Sequence, residues 1–321
     1  MSRLEKHRRN GVGLILVFLV IPSLLFAQYE RPGSATAQFL KLDVSPRAAG
    51  MAGSYIAVAS GAEATHYNPA ALGWLQGTSL AASHTDLFAN INLDFVAAAR
   101  SFGRIGAFGI SLTNLSTDQM EVRTPLQPEG TGETFYVSNL RAGLTYARQL
   151  TDHVTFGGTV NYIQMSLYRS MVEPAYSSDI AVLYTTDFRG FQFGMKIANF
   201  GSSITFVNEQ YPLPLNFSFG LAMNAVERPN QVLKTTLSAR KPNDGQTLLR
   251  SGIEWAFYRM FFLRAGYALN HDIATYAYGG GLQMMVGEYR VQFDYAYSDF
   301  DALGAVHRFG ISLDIGGKTN P

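Results

Sequence analysis

"LNFSFGLAM", residues 215–223, alternates residue by residue. Leu215, Phe217, Phe219, Leu221 and Met223 fall on one face, and Asn216, Ser218, Gly220 and Ala222 on the other. A period of two is the signature of a β-strand with unlike faces. The polar face is made of small residues rather than Lys and Glu. Such a face suits a crowded enclosed space better than open water. The apolar face runs about nine residues without a charge, the length a tilted strand needs to cross hydrocarbon.

The pattern recurs outward from this stretch. "FQFGMKIA" (191–198), "YRVQFDYAY" (289–297) and "HRFGISLDI" (307–315) repeat it. Fourteen segments are expected to be strands: 77–84, 91–100, 104–113, 138–148, 153–166, 178–186, 190–199, 214–225, 230–240, 246–257, 261–270, 275–287, 288–298 and 305–315. Their connections alternate between short and long, as in barrels with short periplasmic turns and longer outer loops. The predicted fold is all-β: a transmembrane antiparallel β-barrel of about fourteen strands, with a small N-terminal hatch inside it. Closure leaves no unpaired strand edge, which lipid cannot satisfy. Tyr146, Trp255, Phe257, Tyr267 and Tyr297, near strand ends, are candidates for interfacial girdles.

Composition agrees. Of 321 residues only 15% are charged, 13% are aromatic and 31 are glycine. The net charge of +1 gives no electrostatic reason for a nucleic-acid partner. With no cysteine, disulfides, thiol catalysis and Cys-based metal sites are excluded. The first residues, "MSRLEKHRRN", are basic and precede "GVGLILVFLVIPSLLFA". Basic head, apolar run and Ala27 before Gln28 read as a secretory signal peptide over 1–27, with an uncleaved anchor helix as the alternative. The expected division is signal peptide 1–27, N-terminal hatch 28–76 and barrel 77–317.

Residues 28–76 are not strand-like. Ala, Gly and Ser dominate from Ala48 to Ala64, and small residues permit close packing against lumen side chains. Within "ATHYNPAALGW" (64–74), Asn68 suits a helix N-cap, Pro69 the first helical position, and Ala70-Ala71-Leu72 its continuation. Phe39, Leu40, Leu42, Tyr55, Ile56, Val58 and Trp74 are too many apolar groups for a disordered leader.

The elements "FLKL", "RAAGMAGSYIAVA" and "YNPAAL" in 39–72 resemble the N-terminal signature of the PorV/PorQ outer-membrane proteins. These lie within a wider class of barrels similar to the fatty-acid transporter FadL. The resemblance implies a bacterial outer-membrane location and a hatch role for Asn68, Pro69 and Ala70. It further implies a part in, or kinship to, type IX protein secretion, with secretion-system proteins or secreted cargo as partners. The FadL-like alternative is passive transport of small hydrophobic compounds, predicting an apolar pocket from the outer loops to the hatch and an opening at a strand kink. A structural or adhesive surface barrel is a third reading.

No enzyme is expected. "GxSxG" is absent, and Ser83 and His84, as strand neighbours, point to opposite faces. No HxH or HExxH spacing suggests a metal, and Asp299 and Asp301 are too few for a calcium loop. The glycines at 103, 106 and 109 are expected on a strand, not before a phosphate-binding helix. No cofactor is expected. The chemistry resides instead in charges opposite the lipid series: Arg141, Lys196, Arg250, Glu254, Arg264, Arg290, Asp294, Arg308 and Asp314. They are expected to lock the hatch or to gate it.

Overall fold

The computed structural model describes residues 32–168, 170–206, 209–269 and 275–316. The expected signal peptide and its cleavage position lie outside the described residues. Fourteen strands form one closed antiparallel sheet. They are β1 Thr78–Asp86, β2 Ile91–Ser101, β3 Ala107–Thr117, β4 Ser138–Gln149, β5 Val154–Leu167, β6 Ala175–Thr185 and β7 Gln192–Gly201. The second half is β8 Asn216–Arg228, β9 Gln231–Pro242, β10 Leu248–Phe257, β11 Phe261–Leu269, β12 Tyr276–Val286, β13 Tyr289–Asp299 and β14 Ala305–Ile315. Each strand pairs with its sequence neighbours, and β1 pairs with β14 from Thr78↔Ile315 to Asp86↔His307, closing the barrel.

The burial pattern separates a membrane barrel from a soluble sandwich. Along β8, Asn216, Ser218, Gly220 and Ala222 are buried, while Phe217, Phe219 and Leu221 are exposed. The large apolar side chains point outward and the small polar ones inward, the reverse of a water-soluble sheet. The same holds for Leu144, Val160, Ile180, Leu237, Leu263, Phe293 and Ile311 on other strands. Tyr146, Trp255 and Tyr267 are exposed on this outer wall. The chain has the architecture of a bacterial outer-membrane protein. Among the described residues no helix is long and apolar enough to cross a membrane; the chain crosses with strands.

All fourteen expected strands are present, with ends displaced by a few residues. The largest corrections are local. "FGRIG" (102–106) is a turn, with Gly103 at φ +62° and Gly106 at φ +119°, so these two glycines are not strand residues. β6 begins at Ala175 rather than 178 because Ile163 of β5 still has Ala175 as its ladder partner.

Inside the wall lies the segment from Thr36 to Leu75, a series of single helical turns: Gln38–Lys41, Pro46–Ala49, Gly61–Glu63, Ala64–Tyr67 and Pro69–Trp74. Asn68 caps the last one by accepting a hydrogen bond from the Ala70 N–H, with Pro69 at the first helical position. Its Nδ2 donates to the Ile56 carbonyl at 2.8 Å, tying two turns together. The segment threads the barrel lengthwise. Trp74 and Leu75 lie at the short-turn end, where β1 begins. Thr36 lies at the long-loop end and donates its N–H to the Pro212 carbonyl. Small residues let its backbone touch the wall. A Cβ on Gly266 would overlap the Met51 carbonyl carbon, and one on Gly157 would sit 2.5 Å from that of Pro69.

Candidate functional site

The lumen-facing charges form two buried ion clusters on different arcs of the wall. In the first, Arg47 of the inner segment meets Glu254 of β10 through two 2.8 Å contacts. Glu254 also accepts from Arg264 Nε of β11 at 2.8 Å. Arg264 Nη1 reaches Asp294 of β13 at 2.6 Å, and Gln292 donates to both Asp294 oxygens. On its other side, Arg47 donates to Ser60 Oγ at 2.9 Å and sits 5.4 Å from the Tyr55 ring centre. Tyr55 and Ser45 donate to the two oxygens of Glu63. Burial, and after it the nearby Asp294 carboxylate, pushes the Glu63 pKa above its ordinary value.

In the second cluster Asp179 of β6 is the hub. It takes Arg141 of β4 at 3.1 Å and Lys196 of β7 at 3.5 Å, and its other oxygen accepts from the Asn199 backbone N–H at 2.9 Å. Arg141 Nη1 lies 2.8 Å from His66 Nδ1 of the inner segment. A guanidinium can only donate, so Nδ1 is the unprotonated nitrogen of a neutral ring. Burial comes first, followed by the cations Arg141, Lys196 and Arg240, in holding the His66 pKa well below its usual value. Lys196 Nζ donates to the His66 carbonyl.

Asp179 also touches an irregularity in the wall. Between Ile197 and Phe200, β7 advances three residues while β6 retreats two, a one-residue bulge. Asn199 sits in it at φ +62°, and its Nδ2 donates to the Pro214 carbonyl at 3.0 Å. Pairing with β8 stops at Ala198↔Asn216. One carboxylate thus bonds the bulge, two wall cations and, through them, the inner segment.

The other charges expected in the lumen are there too. Arg250 reaches Asp43 at 3.4 Å, Arg308 donates to Ser298, and Arg290 lies 3.6 Å from Asp314. Sequence reading missed Asp43, Arg47, Glu63, His66, Asp179, Arg240 and Asp244. The inner-segment members have no strand periodicity to assign them a face. Asp179 and Arg240 were legible by alternation along β6 and β9. As expected, Ser83 and His84 face opposite ways: Ser83 donates inward to the Val44 carbonyl, and His84 pairs on the outer wall with Asp86 and Asp94. Among the described residues no group of three His, Asp or Glu is placed to hold a metal.

Two cavities flank the inner segment. One of about 40 Å³ lies between it and β4–β10, lined by His66, Tyr67, Arg141, Asp179, Lys196 and Arg240 among others. A vestibule of about 620 Å³ opens at the short-turn end beneath Trp74, Glu63 and Arg47. Toward the long loops the lining turns apolar. Phe39 and Leu40 pack there against Ile163, Val172, Ala175, Ile204 and Leu213.

No protein-family model matches the chain, and no curated protein matches it significantly. Solved structures do. The Ralstonia pickettii toluene transporter TbuX aligns over 85% of this chain and 98% of its own at TM-score 0.59 and 13% identity. The Pseudomonas putida toluene transporter TodX aligns over 90% and 99% at TM-score 0.60, also at 13% identity. A Pseudomonas aeruginosa FadL homologue aligns over 85% and 98% at TM-score 0.52 and 9% identity. At these identities the likeness is one of fold. The chain has the fold of the FadL-like outer-membrane barrels: a closed fourteen-stranded wall around its own N-terminal segment.

Proposed function

We propose that the protein is a passive channel for small hydrophobic compounds across the outer membrane, and that residues 36–75 are its hatch. The observation that carries this reading is the apolar cluster at the outer mouth. A barrel lumen is ordinarily polar, yet Ile163, Val172, Ala175, Ile204 and Leu213 converge inward and are covered by Phe39 and Leu40 of the inner segment. Apolar groups at a lumen mouth are stabilised only while something apolar covers them. In the closed form the chain's own Phe39 does this, and a hydrocarbon entering from outside competes for the same place. The bulge at Ala198–Asn199 is the strand kink that a transporter reading calls for, and Asp179 links it to the hatch. The continuous apolar path of that reading is interrupted here by the two ion clusters, so passage requires the hatch to shift. The names of the similar folds, toluene transporters among them, support the same substrate class. The secretion role implied by the PorV/PorQ resemblance gains no support from the comparisons.

The deciding experiment is uptake of radiolabelled toluene by cells with and without the gene, with surface display of secreted proteins measured in parallel. Loss of uptake with display intact is expected. Undiminished uptake, or loss of display alone, overturns the proposal.

A further inference from the structure

The cavity of about 40 Å³ between the hatch and the wall has an unbalanced charge. Four cations line it: Arg141, Lys196, Arg240 and Arg250. Two carboxylates answer them, Asp179 within the lining and Asp43 against Arg250 at 3.4 Å. His66 is the neutral acceptor of the Arg141 bond and adds no charge. Asp244 is already matched by Lys41 at 2.6 Å. The sum is an excess of two positive charges. The other cluster differs: Arg47, Arg264 and nearby Lys234 there stand against Glu254, Asp294 and Glu63, three groups of each sign.

Arg240 carries most of the imbalance. Among the described residues it meets no carboxylate, and its Nη1 donates only to the Lys41 carbonyl at 2.9 Å. Arg250 is 8% exposed, and its Nε has no protein partner. Arg240 itself is half-buried, while Arg141 and Arg250 beside it are buried. A cation withdrawn from water without a counter-charge is destabilised, and a guanidinium cannot escape by losing its proton. The space is large enough for a halide with a water beside it and too small for a sugar acid.

We propose that this cavity binds a small monovalent anion of chloride size, which neutralises the cationic excess and ties the hatch to β4, β7, β9 and β10. The anion stands between groups that belong to different elements: His66 and Tyr67 on the hatch, and the four cations on the wall. Its binding therefore favours the seated hatch over the displaced one. The inference does not depend on which compound the channel carries.

The test uses the full chain in detergent with Ser54 replaced by the chain's sole cysteine. Ser54 is 1% exposed in the hatch and its hydroxyl has no partner, so Ser54→Cys breaks no hydrogen bond. Its rate of labelling by a thiol reagent reports hatch opening. Chloride is exchanged for gluconate at constant ionic strength. Labelling is expected to slow saturably with chloride, by roughly tenfold at ten times the dissociation constant if the open form does not bind it. Bromide should act alike. Arg240→Gln should abolish the dependence, while Lys234→Gln, outside this cavity, should retain it. Equal rates in chloride and gluconate, or a chloride effect that survives Arg240→Gln, overturns the proposal. Should Arg240→Gln not fold, bromide-soaked crystals of the unchanged protein decide. Anomalous density is expected between Arg240 and Lys196, and its absence there overturns the site.

Discussion

Arg47 and Glu254, 207 positions apart along the chain, meet in a two-pronged ion pair whose Nε–Oε2 and Nη2–Oε1 distances are both 2.8 Å. Arg47 belongs to the inner segment and Glu254 to β10. The same carboxylate holds Arg264, so one acid anchors the segment to two wall strands.

Glu254→Gln keeps the shape and removes the charge. The buried Arg264 and the half-buried Arg47 would then share a neutral amide. Breaking a buried pair in this way costs about 3–5 kcal/mol. The loss should fall on hatch seating rather than on the wall, whose ladder hydrogen bonds are untouched. We expect faster leak of small polar solutes into liposomes, with heat-modifiable gel migration of the barrel unchanged. Leak equal to that of the parent would count against an anchoring role.

Asp179→Asn should loosen two things together. The Asn199 N–H at the bulge and the Arg141 and Lys196 cations at the hatch all lose a charged acceptor. A bond to a charged group contributes about 1.5–3 kcal/mol. Hydrogen exchange should therefore rise at β7 beyond Ala198 and in the hatch around His66 in the same variant. Exchange that rises in only one place would show the bulge and the hatch to be independent.

Gly266→Val would place a side chain where the Met51 backbone lies, since even a Cβ would overlap it. The barrel can still close, but the hatch cannot seat as it does now. Overpacking of this kind costs about 1–3 kcal/mol. Labelling of the Ser54→Cys reporter should quicken several-fold, and an unchanged rate would mean that the close approach is not required.

His66 should make the seating of the proposed hatch sensitive to acid. Its pKa is depressed in the seated hatch by burial and then by Arg141, Lys196 and Arg240. In a displaced hatch it returns to about 6.5. Below that pH the displaced form takes up a proton that the seated form refuses, so seating weakens as pH falls and is unaffected well above it. Glu63 works the other way. Its raised pKa favours the seated form below the ordinary carboxylate value, and that contribution is lost as pH rises. The difference between the parent and His66→Gln isolates the histidine. Reporter labelling should accelerate from pH 7 to pH 5 in the parent relative to His66→Gln. Parallel pH profiles would refute the assignment.

Ser34 is exposed near the long-loop mouth, two residues before the Thr36 bond to Pro212. A cysteine at Ser34 in this cysteine-free chain should be labelled on intact cells by a membrane-impermeant maleimide. A cysteine at His153, in the β4–β5 turn, should be labelled only after the outer membrane is opened. The opposite result would invert the topology.

The wall was legible from residue order because a strand's two faces are set by parity alone. Once Phe217 and Phe219 are assigned to lipid, Asn216 and Ser218 must face the lumen, and the same rule places Arg141, Lys196, Arg250, Glu254, Arg264 and Asp294 inside. Strand number and the alternation of turns follow from the same local pattern. The capped turn at Asn68-Pro69 was equally local. What parity cannot specify is which lumen charge meets which. The Arg47–Glu254 and His66–Arg141 contacts join a segment without periodicity to strands far along the chain, and the excess of cations around Arg240 exists only once β4, β7, β9 and β10 curve about the same space. Local chemistry determined the barrel and its two faces. Tertiary closure decided the partners, because a buried charge takes its counter-charge from whatever the fold brings within a few ångströms, however distant in sequence.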